Sequence, residues 1–465
     1  MPNESTCGGG VLRTLGEMND SRRCLVTGAT GYVGGRLAPR LLARGHAVRA
    51  LARTPSKLDE APWVADDRAE VVRGDLSDLE SLSEAFTGID VVYHLVHSMS
   101  TDSDFAAEER RSADNVVEAA RARGVRRIVY LGGLHPEGVE LSEHLASRAE
   151  VGQILIDSGI ETVALQAGTL IGSGSASFEL IRHLTERLPA MTTPRWVHNR
   201  IQPIAVADAL HYLVDAATAT VPESRTWDIG GPDVLEYGDM MQGYAEVAGL
   251  RPRQMIVLPF LTPTIASRWV RFVTPIRGKI ARPLIESLEC DAVCRNRDID
   301  DVIAPPSGGL QSYRAALVAT LSRVHRGDAT VSWDNATAGT SPAEPLPSDP
   351  PWAGEETFTA EDRTTTTDSP EAAWRKLRDG VDGVDGHWMA VESESPTLLR
   401  LHADTASPGE AFLEYRIREG SSTPGASAEV TATATFFPRG LGGLLYWRLG
   451  SPLRRMGFRP VDPFR

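Results

Sequence analysis

Lysine is nearly missing from this chain: Lys57, Lys279 and Lys376 are the only lysines among 48 basic residues, and none lies between the first two. No lysine-assisted proton relay can be built in that span, and arginine carries almost all of the positive charge. Cysteine is scarce too. Cys7, Cys24, Cys290 and Cys294 show no disulfide spacing. Cys290 and Cys294 sit one helical turn apart, but no histidine or further cysteine completes a zinc site, so no metal is expected. Reduced thiols point to a cytoplasmic protein. No apolar run reaches the roughly 20 residues needed to span a bilayer. The formal net charge is -14 and no basic run offsets it, which argues against a nucleic-acid partner.

The 465 residues, 42% hydrophobic and 24% charged, suffice for two or three globular domains. Residues 1–22 carry Gly8-Gly9-Gly10 without an apolar core and read as a disordered lead rather than a signal peptide. After them comes the most informative stretch. A short apolar strand, Cys24-Leu25-Val26, runs into Thr27-Gly28-Ala29-Thr30-Gly31-Tyr32-Val33-Gly34. Gly28 permits a tight bend, Gly31 lets the backbone approach a pyrophosphate, and Gly34 lets the following helix pack close to the sheet. A helix starting near Tyr32 would aim its N–H groups and positive dipole end at phosphates. Leu37, Leu41 and Leu42 give that helix an apolar face, Gly45 stops it, and a second strand follows at 47–52.

From 23 to about 170 strands alternate with helices, which predicts an α/β fold with a doubly wound parallel Rossmann sheet. The strands fall at 23–27, 47–52, 69–73, 90–96, 126–131 and 161–166, and the helices near 32–44, 78–86, 105–123 and 142–158. A small substrate lobe is expected over about 171–325, with helices at 178–187, 206–217 and 237–248. Within it the apolar stretch 258–273 reads as lid or packing surface, although Arg268, Arg271 and Arg277 leave a peripheral membrane contact open. Residues 326–353 turn to Pro, Ser, Thr and acidic residues and read as a linker. Residues 354–465 read as a C-terminal α+β domain: Ser369-Pro370-Glu371 opens a helix, period-two strands follow, and 441–449 closes as a helix laid on that sheet.

The turn, Gly74-Asp75-Leu76 after the third strand and Gly230-Gly231-Pro232 resemble those of atypical short-chain dehydrogenase/reductases (SDRs) of the NmrA-like and extended type, over roughly 23–325. The C-terminal part is similar to the DUF2867-type domain, for which a helix-grip, START-like shape is expected. The resemblance implies NAD(P)H bound by Gly28, Thr30, Gly31, Tyr32, Val33 and Gly34, with Asp75 and Leu76 at the adenine and Leu95 and Val96 lining the fourth strand's end. Where NAD-specific members carry an acid after strand two, this chain has Arg53. A guanidinium can fork onto a 2′-phosphate, so NADP(H) is favoured over NAD(H), unless Arg53 is only a solvated arginine.

The same resemblance places a catalytic serine within Leu131-Gly132-Gly133-Leu134, which has no hydroxyl, and aligns the Tyr-x-x-x-Lys pair with His144 and Arg148. Arg148 can bond a ribose but cannot relay a proton; His144 can serve as a general acid. His97 is a second catalytic candidate, and Trp196, His198, Arg200 and Gln202 are candidates for the substrate mouth. Glu108-Glu109-Arg110-Arg111 reads as a solvated helix face. The expected function is an NADP(H)-dependent oxidoreductase on a small organic substrate without the Tyr-x-x-x-Lys pair; the alternative is a non-catalytic NADP(H)-binding sensor. Epimerase or dehydratase chemistry is less favoured because it too relies on the tyrosine.

Overall fold

The computed structural model describes residues 21–96, 105–258, 270, 273–276, 278–321, 357–382, 388–403, 408–419 and 427–454. His97, almost all of the 1–22 lead, the 326–353 linker and most of the apolar stretch 258–273 lie outside the described residues.

Seven parallel strands form the main sheet: β1 (Arg23–Thr27), β2 (Ala47–Ala52), β3 (Ala69–Arg73), β4 (Val91–His94), β5 (Arg127–Gly133), β6 (Glu161–Ala167) and β7 (Arg225–Ile229). Their spatial order is β7-β6-β5-β4-β1-β2-β3. Cys24, Leu25, Val26 and Thr27 of β1 are all fully buried, as a central parallel strand with helices on both faces must be.

The helices divide between those faces. Leu37, Ala38 and Leu41 of α1 (Tyr32–Ala43) and Leu210 and Leu213 of α6 (Val206–Asp215) pack with Val26, Val129 and Leu165. On the other side Leu82 of α2 (Leu79–Ala85), Val116 and Ala120 of α3 (Phe105–Arg123) and Val151 and Leu155 of α4 (Glu143–Ile156) pack with Leu25, Val92 and Ile128. This is a doubly wound α/β sheet. Gly45 ends α1 at φ 96°, a conformation that an L side chain resists.

The lobe is not continuous over 171–325. Residues 206–229 return to the sheet as α6 and β7, whose Trp227 and Ile229 join the α1 face of the core. The lobe proper consists of α5 (Ala176–Arg187), α7 (Tyr237–Val247), α8 (Gly278–Glu286) and α9 (Tyr313–Leu321), with a parallel strand pair joining 190–193 to 254–257.

A second sheet follows, five antiparallel strands in the order β8-β12-β11-β10-β9. They are β8 (Phe358–Thr366), β9 (Trp388–Glu394), β10 (Leu398–Ala403), β11 (Gly409–Glu419) and β12 (Ala428–Pro438). The Ser369 hydroxyl accepts from Ala372 N at 3.3 Å and so caps α10 (Pro370–Asp382). Trp374 and Leu377 of α10 pack on Leu413, Tyr415 and Val430. α11 (Gly440–Arg454) lays Trp447 on Phe436 with ring centroids 5.2 Å apart.

Candidate functional site

All seven strands of the main sheet run the same way, so the residues that follow them gather along one edge. At the end of β1, Gly28 takes φ 75° and its carbonyl accepts from Gly31 N at 2.8 Å, closing the turn. Thr27 fastens the turn to β4: its hydroxyl donates to Tyr93 O at 3.1 Å and accepts from Leu95 N at 3.2 Å. The Leu95 backbone lies 3.2 Å, and Val96 Cγ2 3.3 Å, from where a Cβ on Gly28 would stand. Leu95 and Val96 therefore border the turn directly.

A Cβ on Gly34 would come within 2.3 Å of Gly28 O, so only glycine lets α1 seat this close to β1. Gly31 is the N-cap of α1, with no side-chain cap and no acid in the first turn. The uncapped N–H groups and the positive end of the helix dipole suit a diphosphate, and no side chain at Gly31 obstructs it. The dinucleotide fits this turn.

On the adenine side, Ser77 donates to Asp75 Oδ1 from its backbone N–H (3.0 Å) and its hydroxyl (2.9 Å). These bonds, with the charge of Arg53, hold the Asp75 carboxyl below the usual carboxylate range. Arg53 is exposed and lies close enough to act on Asp75. Leu76 is buried in the α2–α3 core with its carbonyl accepting from Asn115 Nδ2 at 2.8 Å, so little of its side chain is open to a ring.

The residues at the Tyr-x-x-x-Lys positions lie deeper. His144 is 3% exposed and packs near Phe105, and its Nδ1 has no partner among the described residues. Burial, reinforced by the Arg148 charge, lowers its pKa to about 3. Burial thus favours the uncharged ring at neutral pH. Arg148 lies one turn further along α4, its Nη1 3.9 Å from where a Cβ on Gly133 would stand at the end of β5. Its Nε is buried with no acceptor among the described residues.

Glu109 is also part of this cluster. It is 8% exposed and accepts from the Ser147 hydroxyl at 2.6 Å, so it does not belong to a solvated helix face. His94, at the end of β4, stacks on Tyr130 at 5.9 Å and is buried, with its pKa lowered to about 4 by desolvation.

The four expected substrate-mouth residues do not converge. His198 is exposed and bonds Glu236 at 2.7 Å; Arg200 is exposed and pairs with Asp291 at 3.1 Å. Gln202 is 6% exposed, and both ends of its amide are used by backbone: Nε2 donates to Gly231 O at 2.7 Å and Oε1 accepts from Cys294 N at 3.0 Å. Trp196 borders a small apolar pocket between α5, α7 and α8.

One network escaped the sequence reading. Arg295 reaches across the sheet edge to Asp228 of β7 through two bonds of 2.9 and 2.6 Å, to Glu137, and to Gln166 of β6 at 3.3 Å. It ties the lobe to the ends of three parts of the sheet edge. Nothing in its local sequence marks it.

Residues 28–197 match the NAD(P)H-binding family. A (4-alkanoyl-5-oxo-2,5-dihydrofuran-3-yl)methyl phosphate reductase of Streptomyces griseus subsp. griseus is 32% identical over 233 residues, covering 48% of this chain and 73% of that protein. Cinnamoyl-CoA reductase 1 of Oryza sativa subsp. japonica is 38% identical over 109 residues, 23% of this chain and only 32% of the rice protein. The triphenylmethane reductase of Citrobacter sp., solved in complex with NADP(H), shares the fold with a TM-score of 0.51 and 20% identity over 63% of this chain and 98% of its own. The chain belongs to the NAD(P)H-binding family and is an atypical short-chain dehydrogenase/reductase.

Proposed function

We propose that the protein is an NADP(H)-dependent oxidoreductase that acts on a small organic substrate without a Tyr-x-x-x-Lys pair. The observation that carries the cofactor preference is Arg53, an exposed cation just after β2 and within electrostatic reach of Asp75, where an NAD-specific chain would place an acid. Bound along the sheet edge, NADPH would supply hydride. The chain would hold the diphosphate on α1 and the 2′-phosphate on Arg53, and Arg148 would orient a ribose hydroxyl. The reductase names of the two curated relatives support the direction of the reaction.

His144 favours a second reading. A buried, neutral ring at the tyrosine position, without a lysine partner, suits a cofactor-binding sensor as well as an enzyme. In both readings the five-stranded sheet carrying α10 and α11 on one face supports a DUF2867-type, helix-grip unit at the C-terminus. A cytoplasmic setting suits Cys24, whose burial pushes its thiol up to about 12 and keeps it unreactive.

The test is titration of NADPH and NADH against wild type and Arg53→Ala. A charge-assisted bond contributes roughly 1.5–3 kcal/mol, so Arg53→Ala is expected to weaken NADPH binding about tenfold or more and leave NADH unchanged. Equal affinities in the wild type would refute the preference. Substrate-dependent NADPH oxidation would then separate enzyme from sensor.

A further inference from the structure

Helix α5 meets the dinucleotide turn at its first end. The hydroxyl of Tyr32, the first residue of α1, lies 2.4 Å from where a Cβ on Gly172 would stand, so the glycine makes room for it. Arg36, one turn along α1 and 2% exposed, spans the junction. Its guanidinium lies 4.1 Å over the Tyr32 ring, Nη1 donates to Tyr32 O at 3.2 Å, and Nη2 donates to Ser173 O at 3.2 Å. The 172–175 loop is fixed from the other side by α5 itself, where Glu179 Oε1 accepts from Gly174 N at 2.8 Å. Arg36 thus joins the turn to α5.

The body of α5 has no solvent face. A helix at a protein surface keeps its polar side wet, yet every residue from Phe178 to Thr185 is buried, and Glu179, Arg182 and His183, which share one face, are each at most 1% exposed. Charges answer one another along the axis: Arg182 lies 3.6 Å from Glu179 and 3.5 Å from Glu186, and Glu186 Oε1 accepts from the Tyr244 hydroxyl at 2.5 Å. Close-packed interiors are barely compressible and transmit displacement. The helix therefore acts as one rod of about 18 Å.

At its far end α5 meets the C-terminal domain. α11 packs against it, and a Cβ on Gly440, the first residue of α11, would stand 3.1 Å from Glu186 O in the last turn of α5. The negative end of one helix dipole is set beside the positive end of the other.

We infer that the C-terminal domain reads dinucleotide occupancy: filling the diphosphate site on α1 fixes Tyr32 and Arg36, and α5 carries that constraint to α11. This rests on the dinucleotide reading of the turn, and it gives the five-stranded sheet domain a regulatory task that hydride transfer does not require.

The experiment is hydrogen–deuterium exchange of the full-length chain with and without saturating NADP+. Exchange should slow at 28–36, where the dinucleotide binds, and by about fivefold or more at 176–187 and 440–447, the lower range of measured couplings between sites. Residues 370–382 of α10, on the same domain, should keep their rate. Arg36→Met retains bulk but not the bond to Ser173, so NADP+ should still protect 28–36 in this variant without slowing 440–447. Protection at 28–36 in the wild type with no change at 440–447 overturns the inference alone, whereas no protection at 28–36 overturns the cofactor reading and the inference with it. Equal slowing at 370–382 means general stabilisation by a ligand and also overturns it. So does slowing at 440–447 that persists in Arg36→Met.

Discussion

The Ser147 hydroxyl of α4 donates to the Glu109 carboxylate of α3 at 2.6 Å, and both side chains are buried. The pair joins the two helices beside Arg148, whose guanidinium loses proton affinity through burial and regains part of it from Tyr130 and Glu109. Glu109 thus compensates a buried cation next to the end of β5. Ser147→Ala should lower stability by roughly 1.5–3 kcal/mol, the worth of a hydrogen bond to a charged group. Glu109→Gln should cost at least as much, and the double variant should lose less than the sum of the two single losses. Urea unfolding of the four proteins measures this; strictly additive losses would show that the residues are uncoupled.

Acid should destabilise the fold through His94 and His144. Burial holds them at about 4 and about 3 against an ordinary value of 6.5, so both rings are neutral when folded and charge once unfolded. Below pH 6.5 the unfolded chain binds more protons, so stability is complete above that pH and falls as pH drops, by on the order of a few kcal/mol for each ring by pH 4. Unfolding midpoints at pH 7.5, 6 and 5 should decline less steeply in His144→Phe than in wild type. An identical slope would mean that the ring is not held neutral.

The two turn glycines should fail in different ways. A Cβ on Gly34 meets backbone at 2.3 Å, whereas one on Gly31 stands 3.1 Å from Gly28 O in an ordinary extended conformation, φ -93°. Gly34→Ala should therefore destabilise the fold, by about 1–3 kcal/mol as overpacked sites do. Gly31→Val should leave thermal unfolding nearly unchanged but abolish NADPH binding, because its side chain occupies the space reserved for the pyrophosphate. NADPH affinity retained in a folded Gly31→Val protein would make the turn merely structural.

Much of this architecture is legible from residue order. Apolar runs bounded by glycine placed six strands of the main sheet, and helix periodicity placed α3 to the residue, because both patterns are local. β7 was not legible: Arg225–Ile229 is a five-residue strand whose local pattern does not say which sheet it joins. In Glu108-Glu109-Arg110-Arg111 four consecutive charges span a full helical turn, so one had to face inward. The packing of α3 on α4 decides that it is Glu109. Trp196, His198, Arg200 and Gln202 lie close in sequence, but a 3-10 turn at Arg195–His198 and a strand of only Arg200–Ile201 send their side chains to different neighbours. Trp196 shares that turn with His198, whereas Arg200 and Gln202 follow it.

With His144 buried and neutral, His135 is the histidine that sits half-buried just after β5, and its tautomer follows from its neighbours. Arg295 can only donate, so Gln166 accepts from it at Oε1 and turns its amide N–H₂ toward His135 Nε2, 3.4 Å away. Nε2 must then be the unprotonated nitrogen, with the proton on Nδ1 near Pro136 O at 3.4 Å. Gln166→Glu would reverse this, because a carboxylate accepts and places the proton on Nε2. Nitrogen-15 shifts of the His135 ring should therefore exchange their pyrrole-like and pyridine-like values between wild type and Gln166→Glu; unchanged shifts would break the chain of inference at Arg295. If the protein turns over a carbonyl substrate and the neutral His135 ring gives up its Nδ1 proton to it, His135→Ala should slow turnover by about 10²–10⁴-fold, with NADPH affinity preserved. The same substitution at His144 should change turnover far less, since a ring held at about 3 has no proton to give as an imidazolium at neutral pH. The reverse order of effects would return the proton donor to His144 in its neutral form.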